Sequence, residues 1–339
     1  MENAILTGFD GQMGRAFIEL LKGENVQIIG VAPRFDEAHW KDEHFIRERL
    51  SITHPDIARL IEKHKPTYFI NCAARSRVAD SWENPEDYLM INGVTVARHL
   101  QAIKMFSPKT RYITFGSGEE FDYRNNNEEP RDESSPLFAS NPYGASKIYA
   151  RHILNIYRKQ DIYAVMPWCF NVESAMRGPT FLTQKLTRSI SNIDKAIKAG
   201  ESFEPISVGN IWVTRDFSLC DEIVRGAWLL LHQDKPKDYI LSSGRGHKIK
   251  DVIYMICSDC FGYNCCWRYV NGGDITLWNF DVKKPLVIVN PALFRPNDIS
   301  YMVGNPKLAE RELGWKTERN LLDILRVMEE ANANIRSTY

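Results

Sequence analysis

The segment Asn141-Pro142-Tyr143-Gly144-Ala145-Ser146-Lys147 sets a phenol and an ammonium four residues apart. On a helix that begins near Pro142, Tyr143 and Lys147 lie one above the other on the same face. A lysine ammonium beside a phenol favours the phenolate and lowers its pKa from about 10, giving a proton acceptor usable near neutral pH. Upstream, a β-type run, Arg111-Tyr112-Ile113-Thr114-Phe115, leads into a turn of small residues carrying Ser117 and Glu119. From the end of that strand Ser117 can orient a substrate oxygen and Glu119 can move a second proton. A Tyr-x-x-x-Lys spacing recurs by chance in many helices, so its meaning depends on the elements that position it.

Those elements begin with Ala4-Ile5-Leu6-Thr7, a short apolar strand, followed by Gly8-Phe9-Asp10-Gly11-Gln12-Met13-Gly14. A helical pattern through Ala16, Phe17, Leu20 and Leu21 comes next. Strand, glycine turn and helix in that order form a dinucleotide-binding arrangement, because glycines let the backbone approach a pyrophosphate seated on the helix N-terminus. The second strand, residues 26–31, ends in Val31-Ala32-Pro33-Arg34, with Asp36 slightly beyond. An acidic residue there accepts the ribose hydroxyls of NAD, whereas an arginine suits the extra phosphate of NADP. Arg34 makes NADP the expected cofactor, with NAD the alternative.

Ile57, Leu60 and Ile61 mark a helix, and residues 68–74 read as a buried strand ending in small residues that can lie against a cofactor. A long helical stretch covers 85–105, the helix after Lys147 runs through Tyr157, and residues 163–166 form another strand. This alternation predicts an α/β fold, a Rossmann-type doubly wound parallel sheet with its site at the strands' C-terminal edge. Residues 1–170 are expected to be the cofactor-binding domain, with some later segments returning to it. Residues 171–339, irregular over 171–178, helical over 181–195 and including Phe294-Arg295-Pro296, form a smaller C-terminal lobe. The polar run 124–132 reads as a solvated loop.

Lys+Arg and Asp+Glu both number 43 in 339 residues, so no net charge points to nucleic acid or to a membrane surface. No apolar run reaches the ~18 residues of a membrane span, and the expected location is the cytoplasm. Among seven cysteines, Cys257-x-x-Cys260 with Cys265-Cys266 resembles zinc spacing. However, 252–261 reads as an amphipathic helix and 265–269 as a strand whose adjacent cysteines face opposite ways. Core packing is therefore expected, and no metal.

The glycine turn, Asn71-x-Ala73-Ala74, Ser117-x-Glu119 and Tyr143-x-x-x-Lys147, in that order, resemble the extended short-chain dehydrogenase/reductase superfamily. Within it the chain is similar to the GDP-mannose 4,6-dehydratase family over nearly its whole length. Phe170-Asn171-Val172-Glu173-Ser174-Ala175-Met176-Arg177-Gly178-Pro179-Thr180-Phe181 resembles the start of that family's Asn-His-Glu-Ser-Pro-Arg-Arg-Gly-Glu block, which ends in a lysine matched by Lys185. Val208-Gly209-Asn210, Arg215-Asp216, Asp238-Tyr239-Ile240, Phe294-Arg295-Pro296 and Leu313-Gly314-Trp315-Lys316 follow in family order.

The resemblance implies a redox-neutral dehydration of a GDP-sugar. Tyr143, helped by Lys147, takes the proton from O4 while C4 gives hydride to the nicotinamide; Glu119 then removes the C5 proton, water leaves C6, and the hydride returns to C6. Ser117, where the family has threonine, orients O4. The resemblance places Gly8, Gly11, Gln12, Met13 and Gly14 at the pyrophosphate and Ala73, Ala74 and Ser76 along the ribose and nicotinamide. Arg34, Val172 and Arg177 match the cofactor side, as do Ser51 and Ile52, Ser51 standing where the family has an adenine-binding aspartate. Asn171, Lys185, Arg215 and Arg295 match the substrate side. Gly118 replaces a serine, Val172 a histidine, Ala175-Met176 a Pro-Arg pair, and Pro179 a glutamate. The family's double arginine after the second strand is reduced to Pro33-Arg34.

Three functions follow. The first is a GDP-mannose 4,6-dehydratase that forms a homodimer or homotetramer. The second is a dehydratase or C4 oxidase of a related GDP-sugar such as GDP-manno-heptose. The third, from another class, is a non-catalytic cofactor-binding protein, against which the presence of Tyr143, Lys147 and Glu119 together argues.

Overall fold

The computed structural model describes residues 2–35, 45–125, 127–269, 275–295 and 298–334. Asn3–Thr7 (β1) is buried along nearly its whole length and is followed by the helix Gln12–Gly23 (α1) and the strand Gln27–Ala32 (β2). Phe45–Arg49 (β3), Asp56–His64 (α2) and Tyr68–Asn71 (β4) come next. Pro85–Leu89 (α3), a π-type turn over Met90–Val94 and Thr95–Phe106 (α4) then lead into Arg111–Thr114 (β5). After Gly116–Ser117 (β6) the chain forms Pro142–Arg158 (α5) and Ala164–Val165 (β7). Six strands pair in parallel in the order β3-β2-β1-β4-β5-β7. A strand buried on both faces reads as a continuous apolar run, which is why β1, β2 and β4 were visible as such.

Both sheet faces are covered. On one, Leu6, Ile28 and Ile70 pack with Phe17, Ile18 and Leu21 of α1. On the other, Ile5, Ile29 and Phe69 pack with Ile57 and Ile61 of α2, Leu100 and Ile103 of α4, and Leu154 of α5. This is the expected doubly wound sheet.

The later chain begins with Trp168–Cys169 (β8), Asn171–Glu173 (β9), Leu182–Ala199 (α6) and Ile206–Val208 (β10). Thr214–Leu219 (β11), Cys220–Leu231 (α7), Ile240–Leu241 (β12), Gly246–Lys248 (β13) and Ile249–Met255 (α8) follow. The chain then adds Cys265–Tyr269 (β14), Ile275–Asn279 (β15), Lys284–Val289 (β16) and Tyr301–Met302 (β17). Lys307–Leu313 (α9) and Leu321–Asn334 (α10) complete the described elements.

β10, β16, β15 and β14 form a small mixed sheet whose core takes in Leu186 and Ile190 of α6, Val252 and Ile253 of α8, and Leu325 of α10. Cys257 and Cys265 belong to this core. Ile223, Val224, Ala227 and Leu230 of α7, with Trp315, pack instead on the large sheet beside Leu6 and α1.

Three local expectations change. The strand expected over 68–74 stops at Asn71, because the chain bends away from the sheet where Ala73 crosses over Gly8. The strand expected over 163–166 is reduced to β7, since the Met166 amide donates to the Asp238 carboxylate (2.7 Å) rather than to a neighbouring strand. The run 124–132 is not all solvated loop: Arg131 is buried, lies over the Tyr123 ring and exchanges backbone hydrogen bonds with Val303 and Asn305. No helix among the described residues is long and apolar enough to cross a membrane.

Candidate active site

At the switch point, where β1 has β2 on one side and β4 on the other, the chain leaves β1 through the glycine turn. Gly8 adopts φ +65°, and a Cβ there would lie 2.8 Å from the Ala73 backbone. A Cβ on Gly14 would lie 2.3 Å from the Gly8 carbonyl oxygen, so helix and turn approach closely only without side chains. α1 starts after Gly11 with no side-chain cap, and its uncapped first turn opens onto a cavity that Gly11, Gln12 and Met13 line. Backbone amides and a positive helix end at a concave wall suit a pyrophosphate, so the residues present fit a dinucleotide. Gln12 fixes the turn against β9: it donates to the Val172 carbonyl (3.1 Å) and accepts from the Ser174 hydroxyl (2.9 Å).

The cavity measures about 470 Å³. Ala74, Ser76, Val172 and Arg177 line it together with the glycine turn; Asn171, Arg215 and Arg295 line it too, on chain that follows β8; and Ser117, Glu119, Tyr143 and Lys147 complete the wall.

α5 is placed by its cap. Asn141 accepts from the Gly144 amide (2.9 Å) and Pro142 occupies the first turn, which sets Tyr143 and Lys147 one turn apart and inward, both buried. Ser117 acts on Tyr143 in favour of the phenolate, while Lys147 Nζ donates to the Phe115 carbonyl (2.8 Å) and lies 5.8 Å from the Tyr143 ring centre. The expectation that Lys147 lowers the Tyr143 pKa is corrected here. Burial dominates and pushes Tyr143 up, against the opposing pull of Ser117, and the same burial lowers Lys147 to about 8. A phenolate at Tyr143 therefore needs positive charge beyond that of Lys147.

Glu119 sits in the short 3-10 turn Gly118–Glu120, capped by Ser117, whose hydroxyl accepts from the Glu119 amide (3.2 Å). Burial raises its carboxyl above the usual range, opposed by Arg215, by the Asn141 amide that donates to Oε2 (2.8 Å), and by Arg295. Arg215 is itself held: it donates to Asp298 (2.8 Å) and to the Ile299 and Thr214 carbonyls (2.7 and 2.9 Å). A raised carboxyl beside a serine–tyrosine pair supplies two separate proton acceptors on one cavity wall.

Five expected positions lie off the cavity lining. Arg34 is exposed past the end of β2, and Asp36 falls outside the described residues. Ser51 is exposed and bonded to Thr53 (2.9 Å), while Ile52 is buried. Ala73 presents its backbone to Gly8, and Lys185 is exposed with Nζ on the Ser207 carbonyl (3.1 Å). Several residues with structural claims on the site were not singled out in sequence. Asn141 bonds Glu119, and its position before Pro-Tyr was the available signal. Asn92, in the π-type turn, brackets the Arg75 backbone (2.9 Å each way) and donates to Ser146 (3.1 Å), joining the cofactor-side loop to α5. Asp298 has no local signature, because its role appears only when Arg215 of β11 meets Asp298 and Ile299.

A family model described as GDP-mannose 4,6 dehydratase matches residues 5–328. A GDP-mannose 4,6-dehydratase of Vibrio cholerae is 28% identical, the match covering 96% of this chain and 92% of that one. One from Sinorhizobium fredii is 29% identical over 95% of this chain and 93% of its own. Among solved structures, UDP-glucuronic acid 4-epimerase from Bacillus cereus, in complex with UDP-glucuronic acid and NAD, superposes with a TM-score of 0.80 at 18% identity, covering 99% of this chain and 100% of that one. RMD from Pseudomonas aeruginosa complexed with NADPH gives 0.76 at 18%, covering 99% and 98%.

Proposed function

The chain belongs to the GDP-mannose 4,6-dehydratase family, and from that premise we propose that it is a lyase converting GDP-mannose to a GDP-4-keto-6-deoxy sugar. The observation that carries the reading is Glu119: a half-buried carboxylate on the same cavity wall as Ser117, Tyr143 and Lys147, held by Asn141 and flanked by Arg215 and Arg295. Oxidation at C4 alone needs one proton acceptor, whereas elimination across C5 and C6 needs a second.

When bound, an oxidised nicotinamide cofactor would supply a hydride carrier, from C4 and back to C6, and a positive charge. Tyr143 takes the proton from O4, and Ser117 orients that oxygen. Glu119 takes the C5 proton, made acidic by the adjacent 4-ketone, and returns a proton to the C6 hydroxyl as water leaves; the proton held on Tyr143 balances the one that C5 regains as hydride returns to C6. Arg215 and Arg295 meet the diphosphate. Gly8, Gly11, Gln12, Met13 and Gly14 hold the cofactor's pyrophosphate, with Ala74, Ser76 and Arg177 beyond them. NAD and NADPH in the two structural neighbours support a nicotinamide cofactor, and Arg34 past β2 favours NADP. We read residues 1–170 with α7 as the cofactor half and most of 171–339 as the sugar half. The assembly is read as a homodimer or homotetramer and the location as the cytoplasm; α4 and α5 leave Met105 and Ile156 exposed.

A second reading has a specific support. A further cavity of about 180 Å³ adjoins Glu119, Arg295 and Asp298 and is walled by Trp82, Ser140 and Phe294, which gives room for a longer GDP-sugar such as a heptose.

The deciding experiment incubates purified protein with GDP-mannose, without added cofactor, and follows the sugar by mass spectrometry. Loss of one water, abolished in Glu119→Gln, is expected. Loss of two hydrogens with accumulating reduced nicotinamide makes it a C4 oxidase, and an unchanged mass moves the substrate to a larger GDP-sugar.

A further inference from the structure

Directly behind the catalytic turn lies a chain of charges, buried at Glu120 and Arg151, that the reaction scheme does not use. Glu120 is 0% exposed and Arg151, on α5, 3%. Glu120 Oε2 accepts from Arg151 Nε (2.6 Å), and Oε1 accepts from Arg151 Nη2 (3.2 Å) and from the Ser117 backbone amide (2.7 Å). Arg151 Nη1 donates to the Met166 carbonyl (2.8 Å) and to Asp238 (2.9 Å), which also pairs with Arg158. The guanidinium lies 3.6 Å from the centre of the Trp168 ring.

The backbone has made room for this pair. A Cβ on Gly116 would lie 2.3 Å from Arg151 Nη2 and 2.6 Å from Glu120 Oε1, so any side chain at this point of β6 would displace the ion pair. One carboxylate thus grips the amide of Ser117, while its bidentate partner extends from the helix that carries Tyr143 and Lys147, one turn beyond Lys147. Bidentate guanidinium–carboxylate pairs fix both distance and angle.

We propose that Glu120 and Arg151 are positioning residues that lock the Ser117–Glu119 turn to α5, setting the Ser117–Tyr143 geometry on which proton transfer from O4 depends. This rests on the reading of Ser117, Glu119 and Tyr143 given above. The pair also reaches the site electrostatically. Tyr143 faces Glu119, Glu120 and Cys169, and Lys147 faces Glu120, Cys169 and Arg151, so the charge of Glu120 supports the protonated forms of both.

The test compares Glu120→Gln, which keeps an oxygen for the Ser117 amide but removes the charge, with the apolar double variant Glu120→Leu/Arg151→Leu. Replacing a whole buried pair by apolar residues often preserves the fold. For Glu120→Gln the expected result on GDP-mannose is a fall in kcat of about tenfold with KM within about threefold, and a displaced pH profile. The folded double variant is expected to lose about a hundredfold or more in kcat. Its Ser117 amide, followed by hydrogen exchange, should exchange at least about tenfold faster, whatever sugar the enzyme uses. Wild-type kcat and an unmoved pH profile in Glu120→Gln, or an unchanged Ser117 exchange rate in the folded double variant, overturns the proposal. Wild-type protein that leaves GDP-mannose intact overturns the substrate reading instead, and the exchange measurement still decides the positioning role.

Discussion

Asn141 donates its side-chain amide to Glu119 Oε2 at 2.8 Å while its carbonyl oxygen caps α5 by accepting from the Gly144 amide at 2.9 Å. One side chain therefore ties the second proton acceptor to the helix that carries the first. The pairing also leaves Glu119 with a donor that cannot ionise, which keeps its carboxylate oriented without neutralising it.

Asn141→Ala removes both bonds and is expected to cost about 1 kcal/mol of stability from the lost cap. Asn141→Asp keeps the cap but sets a second carboxylate against Glu119. Its thermal midpoint should stay near wild type while its dehydration rate falls about tenfold or more. Thermal melts alongside single-turnover water loss separate the two effects. An Asp variant with full activity means that Glu119 does not need its neutral partner.

The pH dependence of dehydration follows from Glu119. Burial raises its carboxyl, and Arg215, Asn141 and Arg295 only partly offset this. As the proposed base, the group supports activity above its pKa, and activity is lost as pH falls through it. The acid limb of the kcat profile should therefore enter above the ordinary carboxylate range of about 4.3. Arg295→Gln removes one of the opposing charges and should move that limb to higher pH. An acid limb at or below 4.3 argues that another group limits the rate.

Most of the large sheet was legible because β1, β2 and β4 are buried on both faces and so spell continuous apolar runs bounded by turns. Tyr143 and Lys147 were legible for a related reason: an Asn-Pro cap and a four-residue spacing are local facts. What local pattern could not convey was the balance of burial against charge. The pairing of Lys147 with Tyr143 suggests a lowered phenol pKa, yet both groups lie where desolvation outweighs their mutual effect. Contacts between distant segments were equally hidden. Asp298 meets Arg215 across more than eighty residues, and no local pattern marks Glu120 and Arg151, whose pairing depends on the space left at Gly116. Ser51 and Lys185, placed by resemblance alone, lie off the cavity lining.

Arg215 should prove to be a binding residue whose geometry matters more than its charge. Its two Nη groups are spread over Asp298 Oδ1 and two backbone carbonyls, which fixes the guanidinium plane where it lines the cavity. A lysine ammonium cannot reproduce that fork. Arg215→Lys is expected to weaken GDP binding about tenfold or more, measured by calorimetry, with kcat at saturating substrate within about threefold. Asp298→Asn, which loosens the arginine but leaves its charge, should weaken binding less than Arg215→Lys. Equal GDP affinity in wild type and Arg215→Lys would remove Arg215 from the diphosphate site.

Acid stability should be set in part by His99, which is remote from the chemistry. It is buried on α4 between Phe69 and Tyr112, with ring centres 4.8 and 6.2 Å away, and desolvation lowers its pKa from 6.5 to about 3 against a weaker opposing contact with the Ile52 backbone. The unfolded chain binds a proton at His99 below pH 6.5, and the folded protein does not until about pH 3. Stability is therefore full above pH 6.5 and declines as pH falls through the interval between these values. At pH 5 the linkage amounts to about 2 kcal/mol. Urea unfolding at pH 7.5 and pH 5 should show this loss in wild type and a smaller one in His99→Leu, which fills the same apolar site without a titratable group. An equal loss in both proteins assigns the acid sensitivity to the carboxylates instead.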